Sequence, residues 1–335
     1  MGQSGPLLNV DDLTVRFAAG GRTVYAVNGV GFAIRRGERR GIAGESGSGK
    51  SVTCRALLGL LPSNAYPPTG TSRFADIDLL EPGLVDRVAV RGRRIGYVFQ
   101  DSRSALDPYV PIGEQLIELA AVHGVAPATR RDVAIDWLDR VGIDDGRSRL
   151  GSYPHEFSGG MCQRIGIAMA LLPGPELLIA DEPTSDVDVT TQRRLIELIE
   201  RLCEEESLSL VLVSHDLGVI GRLCDTVSVL YGGLVVEQGP CSAVLSEPVH
   251  PYTAGLIASV PRVSSNGGAR VRGIPGSQPT IVAPPSGCPF APRCELREPE
   301  CDEGVPPLVD HRPDGSVRCP VATRRRAPSV DGANR

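Results

Sequence analysis

The sequence predicts an α/β fold in which helices cover a mostly parallel β-sheet, together with an antiparallel β subdomain and a helical insert. Three observations lead to this prediction. A short apolar run, a glycine-rich loop and a helical segment follow one another over residues 40–61. Apolar residues recur at helical spacing over residues 111–172, and strand-like and helix-like runs alternate from 177 to 237.

Composition and charge limit the classes that this chain can belong to. At roughly 150 residues per domain, 335 residues allow about two domains, and 41% apolar with 22% charged residues is typical of a folded globular chain. No apolar run approaches the roughly 20 residues of a membrane-spanning helix, and the first residues do not resemble a secretory signal. We therefore expect a cytosolic chain. Its net charge of −5 disfavours a nucleic-acid partner.

The elements can be predicted in chain order. Alternating apolar and polar residues over 7–43 predict antiparallel strands. Residues 40–43 then form a short buried strand that leads through the glycine-rich loop into a helix at 52–61. Residues 62–92 are rich in proline and are predicted to be irregular, and a strand follows at 95–99. A helical insert is expected over about 105–172. Strands at 177–181, 208–213, 226–230 and 234–237 alternate with helices at 190–206 and 217–224.

Beyond residue 261 the composition changes. The last 75 residues hold 13 of the 28 prolines and four of the nine cysteines, so little regular structure is expected there. The sequence thus predicts a first domain over residues 1–260 and a proline- and cysteine-rich extension over 261–335. A metal site is expected at about 286–320.

The glycine-rich loop has the pattern of a phosphate-binding loop, G-x-x-x-x-G-K-S. Glycines at these positions let backbone N–H groups converge on phosphate oxygens, and the helix that follows adds the partial positive charge of its N-terminus. The alternative, a glycine-rich turn with a surface lysine, is disfavoured because the 35 basic residues include a single lysine, Lys50. A compact ammonium at that one place suits the β and γ phosphates. The loop consists of Gly44, Glu45, Ser46, Gly47, Ser48, Gly49, Lys50 and Ser51, followed by Val52.

Two adjacent carboxylates end the apolar run that begins at Leu177. Side chains of neighbouring residues in a strand point in opposite directions, so Asp181 is predicted to hold Mg²⁺ together with Ser51, and Glu182 to activate the attacking water as a general base. The alternative is a pair of solvated acids after a core strand. The phosphate-binding loop earlier in the chain favours the first interpretation.

The segment Phe157-Ser158-Gly159-Gly160-Met161-Cys162-Gln163-Arg164 resembles the signature sequence of ABC-type ATPases, and other motifs agree in order and spacing. Gln100 is similar to the Q-loop glutamine, Ser185-Asp186-Val187-Asp188 to the D-loop, and His215 to the switch histidine. The resemblance implies the P-loop ATPase fold of an ABC cassette. It also implies a catalytic role for Gln100, Glu182 and His215, a place for Gln100 in the Mg²⁺ shell, and stacking of adenine on Phe17, with Tyr25 as the alternative.

The same resemblance implies that two ATPase chains pack head to tail. ATP would then lie between the loop around Lys50 of one chain and the Ser158, Gly159 and Gly160 segment of the other, with Asp188 close to the nucleotide. ATP binding would close the pair of chains, and hydrolysis would reopen it.

Finer features narrow the resemblance to dipeptide and oligopeptide importer ATPases. These features are Met161 in the signature, Asp188-Val189-Thr190, and the stretch His250-Pro251-Tyr252-Thr253. Such subunits imply partners: a second, homologous ATPase, two membrane permeases and an external solute-binding protein, with this chain at the cytoplasmic face of the membrane. Three departures stand out: Cys162 replaces the usual arginine, Ser185-Asp186-Val187-Asp188 replaces the usual D-loop, and residues 63–92 fit poorly.

Four cysteines are concentrated in the extension. Cys288, Cys294, Cys301 and Cys319 follow the spacing C-x5-C-x6-C-x17-C, in a segment with too little apolar content for a core of its own. Four thiols suit a [4Fe–4S] cluster or tetrahedral zinc, and unliganded thiols are a third interpretation. The resembling importer subunits imply the cluster. Four further cysteines are predicted to be small core residues: Cys54, Cys203, Cys224 and Cys241.

The sequence thus predicts an ATP-hydrolysing subunit of an importer of peptides or similar small solutes. Nickel as the cargo stays open, since solute selectivity belongs to other subunits. A soluble ABC ATPase acting on nucleic acid or ribosomes is the rival class, disfavoured by the single set of motifs and the acidic charge. A regulatory module without activity is disfavoured by the intact Lys50, Asp181, Glu182 and His215.

Overall fold

The computed structural model describes residues 5–81, 90–185, 187–260 and 273–326. The chain forms two compact units. The first contains Met1–Leu7, Ile34–Arg39 and Glu81–Ser214, and the second contains Leu8–Ala33, Arg40–Leu80 and His215–Arg335. Within the described residues, no helix combines the length and apolarity needed to cross a bilayer.

The second unit contains an antiparallel sheet close to the amino terminus. Its strands lie in the order β2, β1, β4, β5, with bounds β1 Leu8–Ala19, β2 Arg22–Ile34, β4 Thr69–Phe74 and β5 Ile77–Asp78. The antiparallel prediction for the first strands is confirmed. The prediction of an irregular segment at 62–92 is wrong for β4 and β5, since β4 pairs with β1 through Val10 and Ser72. Residues 82–89 lie outside the described residues.

Five more strands of the second unit lie side by side in the order β11, β12, β10, β9, β3. The pair β3 and β9 is parallel and the other pairs are antiparallel. The bounds are β3 Arg39–Ala43, β9 Thr226–Tyr231, β10 Leu234–Pro240, β11 Val309–Arg312 and β12 Gly315–Val317. The hairpin of β11 and β12 belongs to the extension, in which the sequence predicted little regular structure.

Five α-helices belong to the described residues of the second unit. Helix α1 begins directly at the glycine-rich loop and ends at Leu57, four residues earlier than predicted. Gly59 follows with a φ of +60°, the left-handed conformation that commonly ends a helix. The bounds are α1 Lys50–Leu57, α8 Leu217–Leu223, α9 Cys241–Ser246, α10 Pro251–Ser259 and α11 Pro320–Arg326.

The first unit contains the parallel strands β6, β7 and β8, which lie side by side in that order. Every residue of β7 and β8 is buried, as is typical of a strand covered on both faces. Gly96 of β6 lets the strand approach the helix that contains Ala170, since an added Cβ would lie 2.4 Å from the Ala170 oxygen. The bounds are β6 Ile95–Val98, β7 Leu177–Asp181 and β8 Ser209–Ser214.

The predicted helical insert is confirmed in the first unit. Helices α3 and α4 pack on each other, and α2 packs on α6. The long amphipathic helix α7 directs six residues into the core and follows β7. The bounds are α2 Ser102–Ala105, α3 Ile112–Val122, α4 Arg130–Arg140, α5 Gly146–Arg149, α6 Gly159–Leu171 and α7 Val189–Glu205.

Candidate functional site

The glycine-rich loop of the second unit has the backbone that a phosphate-binding loop requires. Gly44, Gly47 and Gly49 all have positive φ, at 146°, 83° and 100°. A Cβ at Gly49 would lie 2.5 Å from the Ala26 oxygen, and one at Gly44 would lie 2.4 Å from the Leu230 oxygen. Both positions therefore exclude any residue with a side chain.

Lys50 is folded back onto its own loop. Its side chain is only 4% exposed, and Nζ donates to the carbonyl oxygens of Gly44 at 2.8 Å and Glu45 at 3.0 Å. These two bonds hold the ammonium inside the curve of the loop. Ser51 and Val52 follow in the first turn of α1, and both are half-buried.

The two candidate adenine-stacking residues belong to the neighbouring strands β1 and β2. Phe17 is half-buried in β1 and forms an isolated bridge with Ala65. Tyr25 is half-buried in β2, and its N–H donates to the Ile281 oxygen at 2.7 Å. The structure leaves both rings partly accessible.

The carboxylate pair lies at the end of β7 in the first unit. Asp181 is fully buried, and its Oδ2 accepts a hydrogen bond from the Tyr97 hydroxyl at 2.7 Å. Glu182 is half-buried and has a φ of +48°, a backbone conformation that residues other than glycine rarely adopt. Such strain persists where the surrounding structure fixes the residue, most often at functional sites. Gln100 is exposed, two residues after the end of β6.

The signature segment of the first unit presents the start of α6. Ser158 caps this helix by accepting from the Met161 N–H at 3.3 Å, and Gly159 has open space around it. A Cβ at Gly160 would lie 2.5 Å from Thr191 Cγ2 of α7, so glycine is needed for the two helices to approach. Cys162 faces inward, fully buried, with its thiol donating to the Pro154 oxygen at 3.5 Å.

Two other motif residues lie at helix starts. Asp188 caps α7, accepting from the Thr190 and Thr191 N–H groups at 3.0 and 3.1 Å and from the Thr191 hydroxyl at 2.7 Å. The hydrogen bond from the Thr191 hydroxyl is the main cause that lowers the pKa of Asp188, and the hydrogen bonds from backbone N–H groups lower it further. Asp186 of the D-loop lies outside the described residues. His215 follows β8 directly, is exposed, and precedes the Asp216 cap of α8.

The structure thus groups the predicted residues into two sets. The second unit holds the loop from Gly44 to Ser51, Val52, Phe17 and His215. The first unit holds Asp181 and Glu182 at one strand end, together with Gln100, the Ser158–Gly160 helix start and Asp188.

All four cysteines of the extension line one pocket in the second unit, together with His250, Phe290 and Arg318. Cys301 and Cys319 are 6% and 8% exposed. Two backbone groups point at sulfur atoms: the Leu296 N–H donates to Cys294 Sγ at 3.3 Å, and the Ala322 N–H to Cys319 Sγ at 3.4 Å. Hydrogen bonds of this kind stabilise metal-bound thiolates.

The thiols of this pocket influence one another. Burial raises the pKa of Cys288 to about 11, the Phe290 and Ala291 N–H groups oppose this shift, and Cys301 and Cys319 add to it. The four sulfur atoms are thus within electrostatic reach. Across the described residues, however, no three His, Cys, Asp or Glu side chains are gathered closely enough to hold a metal ion as they stand.

His250 is the remaining polar group of the pocket. It is 1% exposed, and its Nδ1 accepts the Tyr252 N–H at 3.1 Å. Its Nε2 is buried and has no hydrogen-bond partner within the described part of the chain. Burial lowers the pKa of His250 to about 3, so the ring is neutral near pH 7 and carries its proton on Nε2.

The four cysteines predicted to be small core residues are buried, with exposed fractions of 0% for Cys54, 5% for Cys203, 7% for Cys224 and 4% for Cys241. This prediction is confirmed.

Sequence reasoning missed several residues that contact the predicted site. Tyr97 donates to Asp181 from a separate strand. Tyr252 accepts the Glu45 N–H at 2.8 Å, and Arg293 pairs with the Glu45 carboxylate. These residues are separated from their partners by 84, 207 and 248 positions. Short-range spacing carries no signal of such contacts.

Comparison with known proteins decides the family. The ABC transporter model matches residues 27–185, and the model of the oligopeptide/dipeptide transporter C-terminal region matches residues 236–301. The oligopeptide transport ATP-binding protein OppD of Salmonella typhimurium is 44% identical over 93% of both chains. The chain belongs to the oligopeptide/dipeptide family of ABC transporter ATP-binding proteins.

Other members and solved structures agree with this assignment. The dipeptide transport ATP-binding protein DppD of Bacillus subtilis is 41% identical over 97% of both chains. The dimeric ATP-binding cassette MJ0796, bound to ADP and Pi in a post-hydrolysis state, is 27% identical, with a TM-score of 0.61 over 70% of this chain and 98% of that chain. CbiO1 from Clostridium perfringens is 26% identical, with a TM-score of 0.62 over 73% of this chain and 92% of that chain. The chain is therefore an ABC ATPase that uses ATP and Mg²⁺, as the sequence predicted.

Proposed function

We propose that this chain is the ATP-hydrolysing subunit of an importer of oligopeptides, dipeptides or similar small solutes. The relatives named OppD and DppD support the solute class. The observation that carries ATP hydrolysis is the pair at the end of β7, in which a fully buried Asp181 is followed by Glu182 in a strained backbone conformation.

In this proposal each motif residue has its own task. Lys50 and the N–H groups of its loop bind the β and γ phosphates, and Ser51, Gln100 and Asp181 hold Mg²⁺. Glu182 accepts the proton of the attacking water, and His215 donates a hydrogen bond to the γ-phosphate. Phe17 stacks on adenine. The N–H groups at the start of α6 complete the γ-phosphate site of a second ATPase chain, and Asp188 fixes the start of α7 beside them.

Substitution of the proposed base tests the hydrolytic function. Glu182→Gln should retain Mg·ATP binding and lower the rate of hydrolysis at least about 100-fold, because an amide cannot accept the proton of water. The matched control is Glu197→Gln, which removes an exposed acid of α7 that pairs with Arg193. Hydrolysis should be measured as phosphate release and binding by calorimetry. Undiminished hydrolysis in Glu182→Gln would remove the assigned base.

The importer assignment extends to partners and location. We propose a second, homologous ATPase as the other half of the dimer, two membrane permeases and an external solute-binding protein, with this chain at the cytoplasmic face of the membrane. The high identity to OppD over nearly the whole chain supports this assembly. Residues 1–260 would form the ATPase cassette, and 261–335 the extension.

For the extension, a [4Fe–4S] cluster is the proposed resident cofactor, with zinc as the alternative. Four thiols on one pocket supply the donor set of either group. The N–H groups directed at Cys294 and Cys319, and the buried His250 Nε2–H, are donors that fit the sulfur atoms of a cluster. Once bound, a cluster would cross-link four points of the segment 288–319. The thiols would draw together on loading, since metal binding is coupled to folding.

Iron analysis tests this cofactor. Protein purified without oxygen should be brown and contain about four irons per chain, the content of one [4Fe–4S] cluster. Cys301→Ser should lose most of the iron, whereas Cys224→Ser, which alters a buried cysteine outside the pocket, should keep it. A colourless, zinc-loaded protein would exclude the cluster, and a metal-free protein would exclude both groups.

A further inference from the structure

The segment between the first two pocket cysteines, residues 288–294, is here named the cysteine loop. It is held at the pocket by its backbone, since the Cys288 N–H donates to the Cys301 oxygen at 2.8 Å. Phe290 and Ala291 are 4% and 3% exposed, and the turn Ala291–Arg293 leads directly into Cys294. The position of the cysteine loop is therefore tied to the sulfur atoms at both of its ends.

The cysteine loop contacts the phosphate-binding loop through Arg293. Its Nη1 and Nη2 donate to the two carboxylate oxygens of Glu45 at 2.7 and 3.0 Å, forming a two-pronged ion pair. The Arg293 side chain is 7% exposed and that of Glu45 28%. The remaining donors of Arg293 are satisfied by the carbonyls of residues 274–276 and by the Tyr231 hydroxyl. A partly buried, bidentate pair of this kind is stronger and geometrically more specific than an exposed ion pair.

A second contact reaches the backbone of the same residue. Phe290 of the cysteine loop packs on Tyr252, with ring centroids 5.4 Å apart, and on Tyr231 at 5.2 Å. The Tyr252 hydroxyl accepts the Glu45 N–H at 2.8 Å. Residues that belong to or touch the cysteine loop thus hold both the amide and the carboxylate of Glu45.

The charge of Glu45 gives this arrangement a consequence for ATP. Glu45 lies in the phosphate-binding loop, between Gly44 and Ser46, and its carbonyl accepts from Lys50 Nζ. A carboxylate beside a triphosphate opposes binding. Arg293 pairs with this carboxylate through both of its oxygens and so offsets its charge.

We propose that Arg293 is a positioning residue of the phosphate-binding loop, and that metal bound by the four cysteines fixes Arg293 and thereby raises the affinity for ATP. The inference rests on the proposed ATP-binding function and on the proposed cofactor. Because coupling between two sites is reciprocal, nucleotide should raise the affinity for the metal by the same factor.

Calorimetry on the full chain tests this coupling. The affinity for Mg·AMP-PNP should be measured after anaerobic loading with equal amounts of ferrous and ferric iron and with sulfide, and again after iron is stripped with a chelator. The loaded wild type should bind at least about fivefold more tightly than the stripped one. Arg293→Met should lose this difference and bind no more tightly than the stripped wild type. Glu45→Gln added to Arg293→Met should restore part of the affinity, because it removes the repelling carboxylate.

Arg297→Met is the matched control. It removes an arginine three residues beyond Cys294 whose ion pair with Asp302 is exposed, so the effect of iron on affinity should persist. If Arg293→Met does not fold, Arg293→Lys replaces it. That variant keeps the positive charge but cannot form the two parallel hydrogen bonds of a guanidinium, so it should reduce the effect of iron on the affinity.

The outcomes separate this inference from its premises. Equal affinity of the loaded and stripped wild type overturns the coupling alone, as does an Arg293→Met chain that still responds to iron. A wild type that binds no nucleotide in either form overturns the proposed function. A wild type that retains neither iron nor zinc overturns the proposed cofactor, and the coupling with it.

Discussion

At the residue scale, the Tyr97 hydroxyl supports Asp181 by donating to its Oδ2 at 2.7 Å. Lys50 stood out as the only lysine of the chain, and Glu182 as the second acid after an apolar run. Tyr97 carries no such signal, because it lies 84 positions before the carboxylate that it contacts. A contact of this kind depends on the pairing of β6 with β7, which only the folded chain brings about.

Tyr97→Phe tests the support of the Mg²⁺ site. The variant removes the hydroxyl that donates to Asp181 Oδ2 and keeps the ring that packs on Phe99 at 4.7 Å. Loss of an outer hydrogen bond to a metal ligand typically lowers metal affinity about tenfold or more. The Mg²⁺ concentration for half-maximal ATP hydrolysis should rise about tenfold.

The control for this prediction is Tyr109→Phe, which alters a tyrosine that is 88% exposed. It should leave the Mg²⁺ dependence of hydrolysis unchanged. An unaltered Mg²⁺ dependence in Tyr97→Phe itself would show that the hydroxyl does not orient Asp181.

At the element scale, strands and helices with apolar periodicity were predicted well, and elements without it were missed. β4 has the sequence TGTSRF, whose two buried residues are Ser72 and Phe74, so a serine takes the place of an apolar residue on the inward face. Its pairing with β1 comes from tertiary contacts rather than from its own pattern. The hairpin of β11 and β12 was missed for the same reason: its strands have only four and three residues, and they gain partners only next to β10.

The approach of α6 to α7 can be tested with a pair of glycine substitutions. Gly160→Ala places a methyl group 2.5 Å from Thr191 Cγ2 and should lower the free energy of unfolding by about 1–3 kcal/mol. Gly159→Ala meets no atom within 4 Å, and alanine favours the helix, so it should not destabilise the chain. Thermal unfolding measures both.

A third variant distinguishes the steric cause from any other. Thr191→Ser removes Cγ2 and keeps the hydroxyl that donates to Asp188. Combined with Gly160→Ala, it should recover most of the lost stability. Failure of this rescue would mean that the close contact between the two helices does not explain the need for glycine.

At the scale of the whole molecule, the order of the motifs predicted the ATPase cassette. The small buried cluster of the extension could not be predicted in this way. The sequence predicted a segment with too little apolar content for a core. The structure shows a small cluster that includes two of the pocket cysteines, Cys301 and Cys319, with Cys288 packed against it. Cysteine side chains thus complete a cluster of valines and alanines, a role that hydropathy alone does not reveal.

Removal of the metal should therefore loosen the extension. We expect the iron-loaded chain to unfold at a temperature higher by roughly 5 °C than the stripped chain, as a ligand that binds only the folded state stabilises it. Scanning calorimetry of both forms checks this. Cys301→Ser should show no such difference, and an equal shift in that variant would indicate a general effect of the reconstitution chemistry.

Lys50 is the only lysine of the chain, so its amine can be labelled selectively. Reagents that acylate lysine can modify only Lys50 and the amino terminus, and the 4% exposure of Lys50 shields it from bulky ones. A nucleotide carrying a reactive acyl phosphate would be delivered to that amine by the loop itself. The labelled fraction of the peptide that contains Lys50, measured by mass spectrometry, would then give the fraction of occupied sites without any engineered tag.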